Sequence, residues 1–175
     1  MSSRTYLSSD DSALLRSALR RYSGKRCLEI GAGNGGGLIE LSKRFAHPVG
    51  TDLRPPSDDS WRGSAVDYVL ADAAGPFREG TFDLVAFNPP YVPSEGLSDE
   101  AVDGGAQGIE VATRFLLEAV RVLKRDGSVV MLLSSDNPVQ PVRATCEELG
   151  FSMKLLDSKH LFYESLSAYE VSRKR

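Results

Sequence analysis

Apolar and polar positions along this chain fall into two alternating periods. Short β-branched or aromatic runs closed by turn residues predict buried strands near 26–31, 48–52, 66–71, 82–88 and 128–134. Helical spacing between them predicts helices near 36–46, 108–125 and 138–149. A first helix, capped by Ser9 or Asp10, is expected to carry Leu14, Leu15, Ala18 and Leu19 on one face. Residues 53–63 include Pro55-Pro56-Ser57-Asp58-Asp59, so any helix there is short or missing. Residues 94–107, rich in glycine and acids, read as a mobile loop, and 151–157 with 160–172 as a closing hairpin that turns near Ser158-Lys159. The alternation implies one α/β domain over 1–175, with an N-terminal segment and helix in 1–25. Its sheet is doubly wound and mostly parallel, and ligands bind at the C-terminal ends of such strands.

Four of those strand ends carry candidate chemistry. The run Phe82-Asp83-Leu84-Val85-Ala86-Phe87 leads into Asn88-Pro89-Pro90-Tyr91. Consecutive prolines stop the ladder and hold the chain extended, because each fixes φ and Pro90 pushes Pro89 away from helix. Such a turn can present a side-chain amide, a proline carbonyl and an aromatic ring together. That trio suits a planar NH2 group, with two acceptors for its N–H bonds and a ring over its face. Upstream, Cys27-Leu28-Glu29-Ile30 runs into Gly31-Ala32-Gly33-Asn34-Gly35 and an opening helix, the context of a nucleotide-binding crossover. The spacing is G-x-G-x-G, with Glu29 two residues ahead; an acid there favours a cationic ligand group over a pyrophosphate. Asp52 ends the next strand about 20 residues after the first glycine, where a carboxylate accepts ribose hydroxyls. Asp72 ends the third, placed to meet an adenine edge.

Glu29-x-Gly31-x-Gly33-x-Gly35, Asp52, Asp72 and Asn88-Pro89-Pro90-Tyr91 together resemble the ordered motifs of class I S-adenosylmethionine-dependent methyltransferases. The chain is most similar to the HemK-like glutamine N5-methyltransferases, in their short eukaryotic and archaeal branch. Tyr6 with Asp10-Asp11-Ser12-x-Leu14-Leu15 resembles that family's opening segment. Val92-Pro93 and Gly104-Gly105-x-x-Gly108-x-Glu110-Val111 resemble its Gly-Gly loop, and Leu161-Phe162-Tyr163-Glu164-x-Leu166 its final hairpin. Departures are Ser8 for a usual proline, Asp10 for glutamate, and Val102-Asp103 for Trp-Ala. The resemblance implies a Rossmann-like fold of seven strands, the last antiparallel, with helices on both faces. It implies S-adenosyl-L-methionine as cofactor, leaving as S-adenosyl-L-homocysteine. Its implied cofactor residues are Ser12, Glu29, Gly31, Gly33, Gly35, Asp52, Leu53, Asp72, Ala73 and Asn88. Asn88, Pro89 and Tyr91 are the implied catalytic set, and Pro90 joins them in substrate binding. The implied substrate is the glutamine of the Gly-Gly-Gln motif in a class I translation release factor, and the implied partner a small zinc-binding activator subunit.

Charge and composition narrow the rival readings. A net charge of −3 and pI near 5.5 disfavour a dedicated nucleic-acid binder. An amino methyltransferase of RNA or DNA (adenine N6, guanine N2), a lysine methyltransferase and a non-catalytic cofactor-binding scaffold remain the alternatives. No apolar run is long enough for a bilayer and no signal peptide is evident, so the expected location is cytoplasmic. Cys27, Cys146, His47 and His160 lack metal-ligand spacing, so no metal is expected. Ser12 has a competing reading as a helix cap, Asp72 as a loop opener, and Tyr91 as a core residue. Arg16, Arg20, Arg21, Lys25 and Arg26 form a basic cluster that reads as a solvated face or a docking patch.

Overall fold

Strand β1 (Gly24–Ile30) lies at the heart of the sheet because its inner residues are apolar on both faces. Cys27, Leu28 and Ile30 are all buried. In this computed structural model the described residues are 4–57, 61–90, 109–162 and 164–174, with side chains from Asp11 onward. Tyr91, the 94–107 loop and the Gly104-Gly105-x-x-Gly108 motif lie outside them. β2 (Phe45–Asp52) and β4 (Phe82–Phe87) flank β1 in parallel; β3 (Asp67–Leu70) lies beyond β2, and β5 (Leu123–Ser134) beyond β4. β7 (Ser165–Arg173) then runs antiparallel between β5 and β6 (Phe151–His160). The seven-stranded order is β3-β2-β1-β4-β5-β7-β6, the Rossmann-like arrangement expected.

Alternation along the strands feeds two cores. Leu28, Ile30, Val85, Phe87, Val129, Met131 and Leu133 face one side, where α3 (Glu110–Val122) brings Ala112, Leu116 and Ala119 and α4 (Val139–Glu148) brings Val142 and Cys146. Cys27, Leu84, Ala86, Val130 and Leu132 face the other, under Leu14, Leu15, Ala18 and Leu19 of α1 (Arg4–Leu19) and Leu41 of α2 (Gly36–Ser42). The face expected of the first helix is therefore the one buried.

Several boundaries differ from expectation. α1 begins at Arg4 rather than at a Ser9 or Asp10 cap. Ser8, standing in place of a proline, leaves nothing to interrupt it. α2 stops at Ser42 and β2 starts at Phe45, three residues before the predicted strand. Pro48 is tolerated within β2 because β3 pairs only Val49–Asp52, leaving β2 one neighbour at that point. The hairpin turns at 161–164 rather than at 158–159; the Leu161 amide donates to the Glu164 carbonyl at 2.8 Å. The basic cluster is dispersed: Arg20 pairs with Glu40 at 3.3 Å, and Arg21 donates to the Leu156 carbonyl at 3.2 Å.

At the sheet's N-terminal edge, Asp83 accepts the Lys25 and Arg26 amides at 3.0 and 2.8 Å and pairs with Lys124. Burial opposes its ionisation, but the Lys124 ammonium and the two amides hold its carboxyl below the usual range.

Gly50 of β2 lies directly beneath α2. A Cβ there would overlap Leu38 and stand 2.8 Å from the Ala32 Cβ. Gly50→Ala is expected to cost about 1–3 kcal/mol by overpacking. Shortening the neighbour, as Leu38→Ala, should recover part of that loss in a urea-denaturation double-mutant cycle.

Candidate active site

Between β1 and α2 the chain reverses at Gly31, Gly33 and Gly35, with φ of 70°, 53° and 79°. These left-handed angles are the reason the turn is built from glycine. The Gly31 and Ala32 amides donate to the Thr51 carbonyl at 2.8 and 3.0 Å, tying the turn to the end of β2. Asp52 follows. Its Oδ2 accepts the Gly33 amide at 3.0 Å and its Oδ1 the Arg54 amide at 3.1 Å, which fixes the carboxylate at the lip of a cleft. Tyr68 braces the same lip, donating its hydroxyl to the Gly33 carbonyl at 2.9 Å, with Trp61 tilted against its ring at 5.8 Å.

Glu29 points to the α1–α2 side of the sheet and is buried. A Cβ at Gly37 would overlap its carboxylate, so glycine at that position makes the room the carboxyl occupies. Burial pushes its pKa up from 4.5 to about 8, against the opposing pull of the Arg16 charge and a hydrogen bond from the Leu38 amide. Its Oε2 is buried without a hydrogen-bond partner. A cation delivered there would find an acceptor already desolvated.

The cleft itself is lined by Gly31, Asp52, Leu53, Asp72, Ala73, Asn88 and Pro90 among the predicted residues. Glu29 lies in β1 just before the glycine turn, Gly33 and Gly35 lie within the turn, and Pro89 is buried. Ser12 is half-buried inside α1, so it is not a cap, and it is not among the cleft-lining residues. Asp72 is engaged by Arg114 of α3, whose guanidinium lies 2.9 Å from both carboxylate oxygens. Both side chains are about half exposed, so this contact orients more than it stabilises. Ala73 carries a positive φ of 45°, unique among the described non-glycine residues, which turns the backbone sharply at the cleft wall.

Asn88 follows β4 directly, at the cleft. Its Nδ2 donates to Asp11 Oδ2 at 3.3 Å, while its Oδ1 is buried without a partner. Arg114, Tyr68, Gly37 and Asp11 are contributions that the sequence reading did not assign. Gly37, in the glycine run, and Asp11, in the opening segment, carried a local signal.

These features fit S-adenosylmethionine: Glu29 offers a desolvated acceptor for an ammonium, and Asp52 a fixed carboxylate for a diol. The cleft wall carries both acids, Asp52 and Asp72, and two arginines, Arg54 and Arg114, the latter paired with Asp72. Among the described residues no group of three or more His, Cys, Asp or Glu could hold a metal ion, and no helix is long and apolar enough to cross a membrane.

Comparison with known proteins points the same way. A family model described as a methyltransferase domain matches residues 28–89. A protein of Methanocaldococcus jannaschii, provisionally named as a protein N5-glutamine methyltransferase, is 30% identical over 96% of this chain and 91% of its own length. Mouse methyltransferase HEMK2 is 27% identical over 96% of this chain and 89% of its own. Among solved structures, the E. cuniculi Mtq2–Trm112 complex, responsible for methylating the termination factor eRF1, matches with a TM-score of 0.80 at 31% identity. That match covers 94% of this chain and 96% of the other.

Glu29 makes unliganded stability depend on pH. Its folded pKa is raised, so its stabilising contribution is complete below 4.5 and is lost as pH rises through about 8. Wild-type stability should decline across that window, with a limiting slope of about 1.4 kcal/mol per pH unit. Glu29→Gln should flatten the decline, as read by urea midpoints from pH 5 to 9.

Proposed function

Because the chain belongs to the protein N5-glutamine methyltransferase family, whose cofactor is S-adenosylmethionine, we propose that it methylates the glutamine side-chain amide of the Gly-Gly-Gln motif in a class I translation release factor. The observation that carries this reading is Asn88 Oδ1, a buried acceptor without a partner at the end of β4, beside the cleft. An acceptor held there calls for a donor, and an amide NH2 supplies two N–H bonds.

S-adenosylmethionine, when bound, supplies an electrophilic methyl group on a sulfonium. In this reading Glu29 takes its ammonium, Asp52 its ribose hydroxyls, and Asp72 with Ala73 its adenine edge, beside Leu53 and the turn at Gly31, Gly33 and Gly35. Asn88 Oδ1 and the Pro89 carbonyl hold the substrate NH2, so the nitrogen is presented in one orientation. Both acceptors strengthen as that nitrogen gains positive charge, which favours the transition state in particular. Tyr91 is assigned the ring that covers the amide's face, and Pro90 the stiffness of the turn. No strong base is required, since the nitrogen's proton becomes acidic once the new bond forms and leaves to water.

The reading extends to a small zinc-binding activator subunit. The Mtq2 relative was solved with Trm112. Here β3 is the sheet's terminal strand among the described residues, with Leu70 61% exposed on it. An unpaired edge with apolar side chains suits a partner that covers it.

Radiolabelled S-adenosylmethionine should label a class I release factor of the archaeal–eukaryotic type, and lose that label when the motif's glutamine is changed to asparagine. Label on RNA or DNA alone would overturn the glutamine assignment. Asn88→Ala is expected to bind S-adenosylmethionine within about twofold of wild type while losing roughly 10²–10³ in turnover. At the sheet edge, Leu70→Asp should abolish co-purification of a coexpressed activator without lowering the melting temperature of the isolated chain. Retained co-purification would remove β3 from the interface.

A further inference from the structure

Asp11, in the opening segment, is a buried carboxylate, 4% exposed and far in sequence from Asn88-Pro89-Pro90-Tyr91. Its Oδ2 accepts a 3.3 Å hydrogen bond from Asn88 Nδ2, across 77 positions of chain. The pairing is enforced by packing. Leu14, Leu15, Ala18 and Leu19 of the same helix sit in one core with Leu84 and Ala86 of β4, the strand that leads into Asn88.

An asparagine amide has a donor end and an acceptor end of nearly equal shape, so either could face the cleft. A carboxylate can only accept. Turning Asn88 over would set its Oδ1 against the Asp11 oxygens, two acceptors with no proton between them, where water is largely excluded. We infer that Asp11 is a positioning residue: by holding Asn88 Nδ2 it leaves Oδ1, buried and without a partner in a residue that lines the cleft, as the end open to a ligand, so that the site admits a donor and turns away an acceptor. The consequence reaches the substrate. A glutamine amide also has two ends, and an oxygen-presenting Asn88 accepts only the nitrogen end. Asp11 thus decides, through Asn88, which atom of the substrate amide is offered for reaction. The identity of that substrate rests on the function proposed above; the Asp11–Asn88 contact does not.

The test uses Asp11→Asn, close in size but able to donate as well as accept, and Asp11→Ala. In ¹⁵N–¹H spectra of the full chain, the Asn88 side-chain NH2 pair is identified by its disappearance in Asn88→Ala. Its solvent exchange should accelerate about tenfold or more in Asp11→Ala, as a buried hydrogen bond is lost. Turnover on the release factor should fall about tenfold in Asp11→Asn, with KM for S-adenosylmethionine within about twofold of wild type. The Asp11→Ala/Asn88→Ala double variant should be no slower than Asn88→Ala alone, because the two act as one unit. Unchanged exchange in Asp11→Ala, or losses that multiply in the double variant, would overturn the inference. Should Asp11→Ala fail to fold, the exchange rate and turnover of Asp11→Asn decide. The expected exchange behaviour in an enzyme that labels no glutamine would uphold the positioning role and sink the substrate assignment.

Discussion

A single buried carboxylate dictates much of the architecture around it. Glu29 sits in β1, an inner strand, on a face otherwise given to apolar side chains, in space that any side chain at Gly37 would take. To house it, the first turn of α2 must carry glycine at position 37. Burial makes the group reluctant to ionise, and the Leu38 amide and Arg16 offset only part of that penalty. A site meant merely to be stable would place an apolar residue here. The arrangement makes sense when the missing counter-charge arrives with a ligand.

The fold was largely legible because the signals were local. The apolar runs at Cys27–Ile30 and Phe82–Phe87, the glycine turn and the paired prolines each constrain their own neighbourhood. The misses came where neighbourhood does not decide. Nothing in Phe45-Ala46-His47 distinguishes the end of a helix from the start of a strand; the choice is made by β1, against which Phe45 aligns with Gly24. The hairpin turn moved because Ser158 and Lys159 find partners in Ser167 and Leu166, extending the ladder to His160.

Site residues divide along the same line. Glu29, Asp52 and Asn88 were visible by their spacing to glycines and prolines. Arg114 was not, nor was the contact that Asp11 of the opening segment makes, because each acts on a residue in another element, 42 and 77 positions away. Such contacts are properties of helix packing, which periodicity predicts as a face but not as a partner. The sheet's two ends also differ in kind. At the N-terminal edge Asp83 is saturated by two amides and Lys124, whereas at the C-terminal edge Glu29 and Asn88 each keep a buried oxygen without a partner. One end is closed for stability, the other left open for chemistry.

The strand order has a consequence for biosynthesis. β6 is made before β7 but lies outside it, so β6 has no place in the sheet until β7 has arrived between it and β5. During synthesis the inner edge of β5, whose Val129–Leu133 is apolar throughout, waits bare while the α4–β6 unit follows it out of the ribosome. Vectorial folding can assemble β1 to β5 in turn, yet the last step is an insertion rather than an addition. A nascent chain stalled before Ser165 would therefore expose a sticky edge, making this the interval in which chaperones have most to protect.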